Sequence, residues 1–348
     1  MKRIEPKKLL ASLSSIWFTI ACLSLFIVLV LACTLAQAKL GIYESVKIYI
    51  RSFFLYADVG PVRIPVFPGG ALVGLALLLN LALAQFSRLE MSRRKLGVWL
   101  AHLGLVVLFL GEFSTGLFQI ETQMFLDEGV ATAHSEDLRE LELVVVDFGE
   151  PDSDVVYALR QRALIAGRPL KHPDLPFSVE VQSFQMRSQG DSEYPVATAE
   201  IKVSGSEGDR PLTLSSQENG QTLNYASRAF MLTLRPRRHY LPFQLTLKKF
   251  NRKMYPGTDI PSHFSSQIRL ADPARNDFRD VLISMNDPLR YGGQAFYQAS
   301  FGKDDKMSVL QVVRNPGWLM PYISCALVLL GMIIHFAVKL RPALKEPA

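Results

Sequence analysis

The sequence predicts a membrane protein of four α-helical spans with one large, extracytoplasmic, all-β domain of sandwich or barrel type. Apolar residues gather in long blocks toward the two ends of the 348-residue chain. Between them the pattern changes to short alternating runs separated by turn residues. Lysine and arginine flank the apolar blocks unevenly, and that asymmetry gives the orientation.

A helix needs roughly 20 apolar residues to cross a hydrocarbon core of about 30 Å. The first predicted span, 15–36, contains no charged residue. The second, 69–86, has only Asn80 and Gln85 as strongly polar members. The third, 98–118, includes His102 and Glu112, and the fourth opens at Pro316, runs to Val338 and includes His335. Lipid offers the backbone no hydrogen bonds, so each span should be helical. Ala36-Gln37-Ala38 also fits a signal-peptide cleavage site, a reading under which the first span would be removed. Ser45 to Tyr56 carries Val46, Tyr49, Ile50, Phe53 and Phe54 on one helical face, as in an interfacial helix; the same stretch also alternates as a half-buried strand would.

Lys2, Arg3, Lys7 and Lys8 precede the first span, and Arg88, Arg93, Arg94 and Lys95 crowd the short second loop. Lys339, Arg341 and Lys345 follow the fourth. Four crossings put all three segments on one side, which the positive-inside rule makes the cytoplasm. The first outer loop is also basic, but its charges are spread over a longer segment with Glu44 and Asp58. The chain thus divides into an N-terminal membrane region (1–118), an outer β-rich domain (119–315) and a closing span with its tail (316–348).

In the outer domain, strands are predicted at Leu141–Val146, Phe177–Phe184, Leu232–Leu234, Phe243–Leu247, Gln267–Leu270, Val281–Ser284, Ala295–Gln298 and Ser308–Val313. Turn signals such as Glu218-Asn219-Gly220, Asn286-Asp287-Pro288 and Gly292-Gly293 divide them. Tyr157 to Ala166 reads as a short helix.

Composition excludes several classes of function. The three cysteines, Cys22, Cys33 and Cys325, all fall within apolar blocks, so the outer domain holds no disulfide and no dithiol pair. There is no CxxCH, so the chain is not itself a c-type cytochrome. Much of the net charge of +6 is explained more simply by residues flanking the apolar spans than by nucleic-acid binding. Neither a phosphate-binding glycine loop, nor zinc-ligand spacing, nor a nucleophile arrangement occurs.

The C-terminal hundred residues carry a recognisable pattern. It comprises Phe250, Tyr255-Pro256-Gly257-Thr258, Pro261, Ser265-Ser266, Ile283-Ser284-Met285-Asn286-Asp287-Pro288-Leu289, Tyr291-Gly292-Gly293, Phe296-Tyr297-Gln298-Ala299-Ser300 and Asn315-Pro316-Gly317. This pattern, with the plan of three spans, a β-rich domain and a closing span, resembles the ResB family of cytochrome c biogenesis proteins. The resemblance implies a bacterial inner-membrane protein with its large domain on the periplasmic side. It implies work beside a multi-span CcsA- or ResC-type partner, moving heme across the lipid bilayer and attaching it to apocytochrome c. It also implies a b-type heme bound transiently with that partner. The chain lacks a tryptophan-rich heme-presenting segment: Trp17, Trp99 and Trp318 lie at or within spans. It therefore resembles an accessory subunit of a heme lyase, not catalytic alone; the alternative is a membrane-anchored scaffold that binds apocytochrome or assembles another complex.

His102 is the leading candidate. Ionisable residues inside a membrane are costly and usually functional, and imidazole is a common ligand of heme iron. The resemblance places a heme-ligating histidine in this span. The competing reading is a neutral histidine bonded to a neighbouring helix. His335 lies at a similar predicted depth, as a second heme-binding candidate or as an interfacial residue. Glu112 sits ten residues beyond His102, roughly 15 Å along the helix, as a proton relay, a partner contact or a helix-end carboxylate. His134, His172, His239 and His263 are scattered. Arg235, Arg237, Arg238 and Tyr240 form a basic, aromatic cluster, either a site for heme propionates or an acidic partner, or a solvated strand edge. Asn286, Pro288, Leu289, Gly293, Tyr297 and Gln298 are turn and core determinants that could also dock the partner.

Overall fold

Ser15 ends one helix and begins the next. Its hydroxyl accepts from the Phe18 N–H at 3.2 Å, a serine N-cap, and separates α1 (Pro6–Leu13) from α2 (Ile16–Ser45). The computed structural model describes residues 6–87, 89, 91–149, 154–187, 196–258, 260–302 and 305–343. They fall into two compact units, Met1–Gln119 with Asn315–Ala348, and Ile120–Arg314.

In the first unit α2 runs nine residues past the predicted span. Between Ala36 and Ser45 only Gly41 disfavours a helix, and there the backbone kinks (φ 76°, ψ 168°) without ending it. A π-helical turn, Val46–Ile50, follows. The predicted interfacial helix therefore shrinks to this turn. From Phe54 the chain is extended in a hairpin of β1 (Phe54–Val59) and β2 (Val62–Pro68). The next helices are α3 (Gly70–Ser87) and α4 (Leu96–Phe118), and after the β domain comes α6 (Met320–Ala343). Four helical stretches, Ile16–Ile50, Gly70–Ser87, Leu96–Phe118 and Met320–Leu340, are long and apolar enough to cross a membrane. Pro316 is not the first residue of α6. It lies in the turn before it, where the Asn315 side-chain oxygen accepts from Gly317 N–H at 2.8 Å and Met320 N–H donates to Gly317 C=O at 3.0 Å.

Helix α2 packs on α3, α3 on α4, and α4 on α6. Asn80 of α3 clamps the start of α2: it accepts from Thr19 Oγ1 at 2.7 Å and donates to the Ser15 carbonyl at 3.2 Å. Buried amides in an apolar layer need such partners. The α4–α6 contact is closer. Gly97, Gly104 and Gly111, spaced by seven, are the buried residues of α4. Gly97 meets Gly331 and the His335 backbone, and Gly111 meets Met320, so the two helices run antiparallel. A Cβ on Gly104 would lie 2.7 Å from Val328 Cγ2 and 2.9 Å from the Ser324 carbonyl oxygen. Only glycine permits that approach.

The second unit is antiparallel β throughout its ladders. Its elements are β3 (Ile120–Asp127), β4 (Ala131–Asp147), β5 (Val155–Arg160), α5 (Gln161–Ile165), β6 (Phe177–Arg187), β7 (Val196–Gly205), β8 (Gly208–Ser215), β9 (Gln221–Tyr225), β10 (Arg228–Met254), β11 (Pro261–Asp272), β12 (Asp277–Ser284), β13 (Leu289–Tyr291), β14 (Gln294–Phe301) and β15 (Met307–Arg314). The large sheet runs β12-β11-β10-β4-β3-β15-β14-β13, with β5 beside β4 and β9 beside β10; β6, β7 and β8 form a second sheet. The helix predicted over Tyr157–Ala166 is half wrong. Tyr157 and Leu159 alternate inward as strand β5, and only Gln161–Ile165 turns helical.

Two cores form, and β10 serves both. Phe230, Leu232 and Leu234 pack with Leu141, Leu143, Val145 and the β6–β7–β8 sheet, as in a sandwich. Leu241, Phe243, Leu245 and Leu247 pack with Met124, Ile268, Phe296 and Leu310, where the sheet curls until β12 nears β13 and β14. The inward parity changes from even to odd between Leu234 and Leu241. The β4–β10 ladder breaks register in this stretch, at Pro236/Arg237 and again between Tyr240 and Leu245. Bulges of this kind redirect side chains. Two segments predicted as separate strands are thus one strand interrupted by bulges.

Candidate functional site

His102 sits in the second turn of α4, with its Nδ1 2.8 Å from the Val98 carbonyl oxygen. A carbonyl only accepts, so Nδ1 carries a proton in this contact, and in the neutral imidazole Nε2 would be the ring's free acceptor. Among the described residues no hydrogen bond reaches Nε2. At 100° per residue His102 lies about 160° around the helix from Gly104. It therefore faces away from α6, on the side that carries Trp99, Phe109 and Phe113. That side meets α3: Gln85 Nε2 donates to the Trp99 carbonyl at 2.9 Å, Phe109 packs against the cluster of Val73 and Leu77, and Phe113 Cζ would lie 3.6 Å from a Cβ on Gly74.

His335 occupies a different place. Its backbone packs against Gly97, five residues or roughly 7.5 Å along α4 from His102, and on the α6 side. Helix α4 thus stands between the two histidines, which do not converge. Glu112 is exposed beside Gly111. Sequence reasoning noted Gln85 as a polar member of the second span but gave it no role. It is 1% exposed and anchors the α4 backbone one turn before His102, while its Oε1 has no partner among the described residues.

In the β unit the basic cluster is ion-paired. Arg235 Nε lies 3.1 Å from Glu142, Arg237 2.8 Å from Glu140 and Arg238 2.9 Å from Glu136. Arg235 also donates to the Tyr240 hydroxyl at 3.3 Å. Burial pushes the Glu136 carboxyl up, but hydrogen bonds from His134 and Arg238 and their charges outweigh it and hold Glu136 below the usual carboxylate range. His239 is pushed down by burial and by Arg237, so its imidazole is neutral at pH 7. His134 and His172 sit beside Glu136 and Asp174 at 3.6 and 3.4 Å. No group of three metal-ligating side chains occurs among the described residues.

The C-terminal motif builds turns and core. Ser284 and Asp287 exchange backbone hydrogen bonds at 3.2 Å around Met285-Asn286. After Pro288, Leu289 enters the second core. Gly292 and Gly293 take positive φ (59° and 76°) in the two-residue turn joining β13 to β14. Tyr297 is half-buried on β14. Gln298 is buried; its oxygen accepts from Ser266 Oγ at 2.6 Å and its amide donates to Ser308 Oγ at 3.0 Å.

These motif residues lie in the one stretch that a family model matches. Residues 212–309 match the ResB-like family. That stretch is ResB-like. Protein NrfI of Wolinella succinogenes is 36% identical over 120 residues, covering 34% of this chain and 13% of NrfI. This chain thus matches about an eighth of the length of that curated relative. Among solved structures, Cytochrome c Heme Lyase CcmF aligns with 90% of this chain and 34% of its own, at 13% identity and a TM-score of 0.23. A likeness of that size carries no inference about fold or function.

Proposed function

We propose that this ResB-like chain serves cytochrome c biogenesis as an accessory subunit of a membrane cytochrome c synthase. Heme is its substrate, and the large domain stands on the periplasmic side, where apocytochrome c is met. A CcsA- or ResC-type multi-span protein is the partner. The observation that carries the reading is His102: an imidazole within an apolar helix, its Nδ1 held by a backbone carbonyl and its Nε2 free, in a chain with the ResB-like motif. A hydrogen bond from one ring nitrogen to a backbone carbonyl orients the ring and leaves the other nitrogen available, which suits a ligand to iron. His102 would supply one ligand from this chain. His335, on the other side of α4, would not share the same iron, so the second ligand would come from the partner.

The test is a reduced visible spectrum of the complex co-purified with its partner, wild type beside His102→Ala and His335→Ala. The reading expects a b-type spectrum that His102→Ala loses and His335→Ala keeps. An unchanged spectrum in His102→Ala would make this chain a scaffold for a heme bound elsewhere. A complex without heme in any form would overturn the synthase assignment.

A further inference from the structure

At the bulged seam of β10 the outer face of the sheet is hollowed into a cavity of about 450 Å³, lined by Glu142, Asp154, Val156, Ala158, Arg160, Arg235, Arg237, Arg238 and Tyr240. Strand alternation builds its floor. Tyr157 and Leu159 of β5 pack into the first core, so Val156, Ala158 and Arg160 point the other way. Arg160, Glu142 and Arg235 are direct cross-strand neighbours on β5, β4 and β10.

Charge is distributed unequally between the wall and what lies behind it. Arg237 and Arg238 line the cavity, whereas their partners Glu140 and Glu136 do not. Each of those ion pairs occupies only part of a guanidinium that has five N–H donors. The glutamates therefore fix the arginines in place and leave donors toward the cavity. Glu142 has two arginines as cross-strand neighbours and is paired with one, Arg235. Arg160 is exposed, and its side chain has no ion-pair or hydrogen-bond partner among the described residues. Four arginines thus face two carboxylates in a preformed hollow with a phenol at its edge.

We propose that this cavity is a binding site for a carboxylate-bearing ligand, gripped by Arg160 together with the free donors of Arg235 and Arg238. Planar guanidinium forks match carboxylates in two-point geometry. The volume suits a small molecule or a few acidic side chains of a polypeptide. The site is in the β unit and does not depend on His102 or on heme.

Calorimetric titration of the full chain in nanodiscs at constant ionic strength tests it, with succinate, a hexaglutamate peptide and inorganic phosphate as probes. Saturable binding of succinate would identify a small dicarboxylate; binding of hexaglutamate alone would identify an acidic segment. Arg160→Gln, which removes no intramolecular pair, should weaken either about tenfold, the worth of one charged hydrogen bond. Ala158→Glu, placing a carboxylate on the floor, should abolish binding. Arg168→Gln, outside the cavity, should leave it unchanged. No saturable binding of either carboxylate probe, binding of phosphate alone, or equal losses in Arg160→Gln and Arg168→Gln would overturn the proposal.

Discussion

Glu142 is the carboxylate on which the seam of the β unit turns. Its side chain is 7% exposed and accepts from Arg235 Nε at 3.1 Å and from the Arg238 backbone N–H at 3.4 Å. Removing Arg235 leaves a charge buried without its partner, which costs about 3–5 kcal/mol. Removing Arg237 leaves Glu140, whose side chain is 40% exposed, at a cost of about 1 kcal/mol or less. Urea unfolding followed by the β-sheet circular dichroism should therefore separate Arg235→Ala from Arg237→Ala widely; equal midpoints would show that Glu142 is hydrated. Glu136 adds a pH dependence. Its carboxyl titrates below the usual range in the folded state. Its contribution is then complete above the ordinary carboxylate pKa and is lost as pH falls through the depressed value. Wild type should lose stability as pH falls below the ordinary carboxylate range, and Glu136→Gln should lose less over the same fall. Parallel curves would remove Glu136 from the acid response.

At the scale of elements, the spans were legible because apolar length is a one-dimensional signal, and the strand at Leu141–Val146 because β-branched residues run together there. The continuity of β10 was not. Pro236 and the charged residues around it break the alternation, and only pairing with β4 shows that the strand continues through its bulges. The glycines of α4 were equally silent, because a seven-residue spacing means nothing until a second helix lies against it. His102 could be singled out from its type and place, but the side of α4 it occupies needed α3 and α6. The glycine contact makes its own prediction. Gly104→Leu must push Val328 and the Ser324 carbonyl apart, and overpacking of this kind costs about 1–3 kcal/mol or more. Gly116, on the same helix, has nothing within 4 Å of an added Cβ. In detergent Gly104→Leu should melt several degrees below wild type and Gly116→Leu within about one degree. If both melt alike, the α4–α6 contact does not set stability.

For the whole molecule, the contacts order the long helices as a row. The most enclosed, α3, has 39% of its span buried, and α6, at the end, has 11%. Most of the apolar surface of the four helices is thus left to lipid or to another membrane protein, which fits a subunit better than a pathway enclosed by one chain. The synthase reading needs the β unit on the outer side of the membrane, so its orientation is a test of that reading. The basic α3–α4 loop argues for the cytoplasm at that end. Two single-cysteine proteins, made after replacing Cys22, Cys33 and Cys325, read the orientation directly. Thr222→Cys, exposed on β9, should react with a membrane-impermeant maleimide in intact cells. Ser92→Cys, exposed in the α3–α4 loop, should react only after permeabilisation. The reverse pattern would place the β unit in the cytoplasm, away from any cytochrome assembled outside. The synthase reading would then fail, while the arginine cavity, which depends only on β4, β5 and β10, would stand on either side of the membrane.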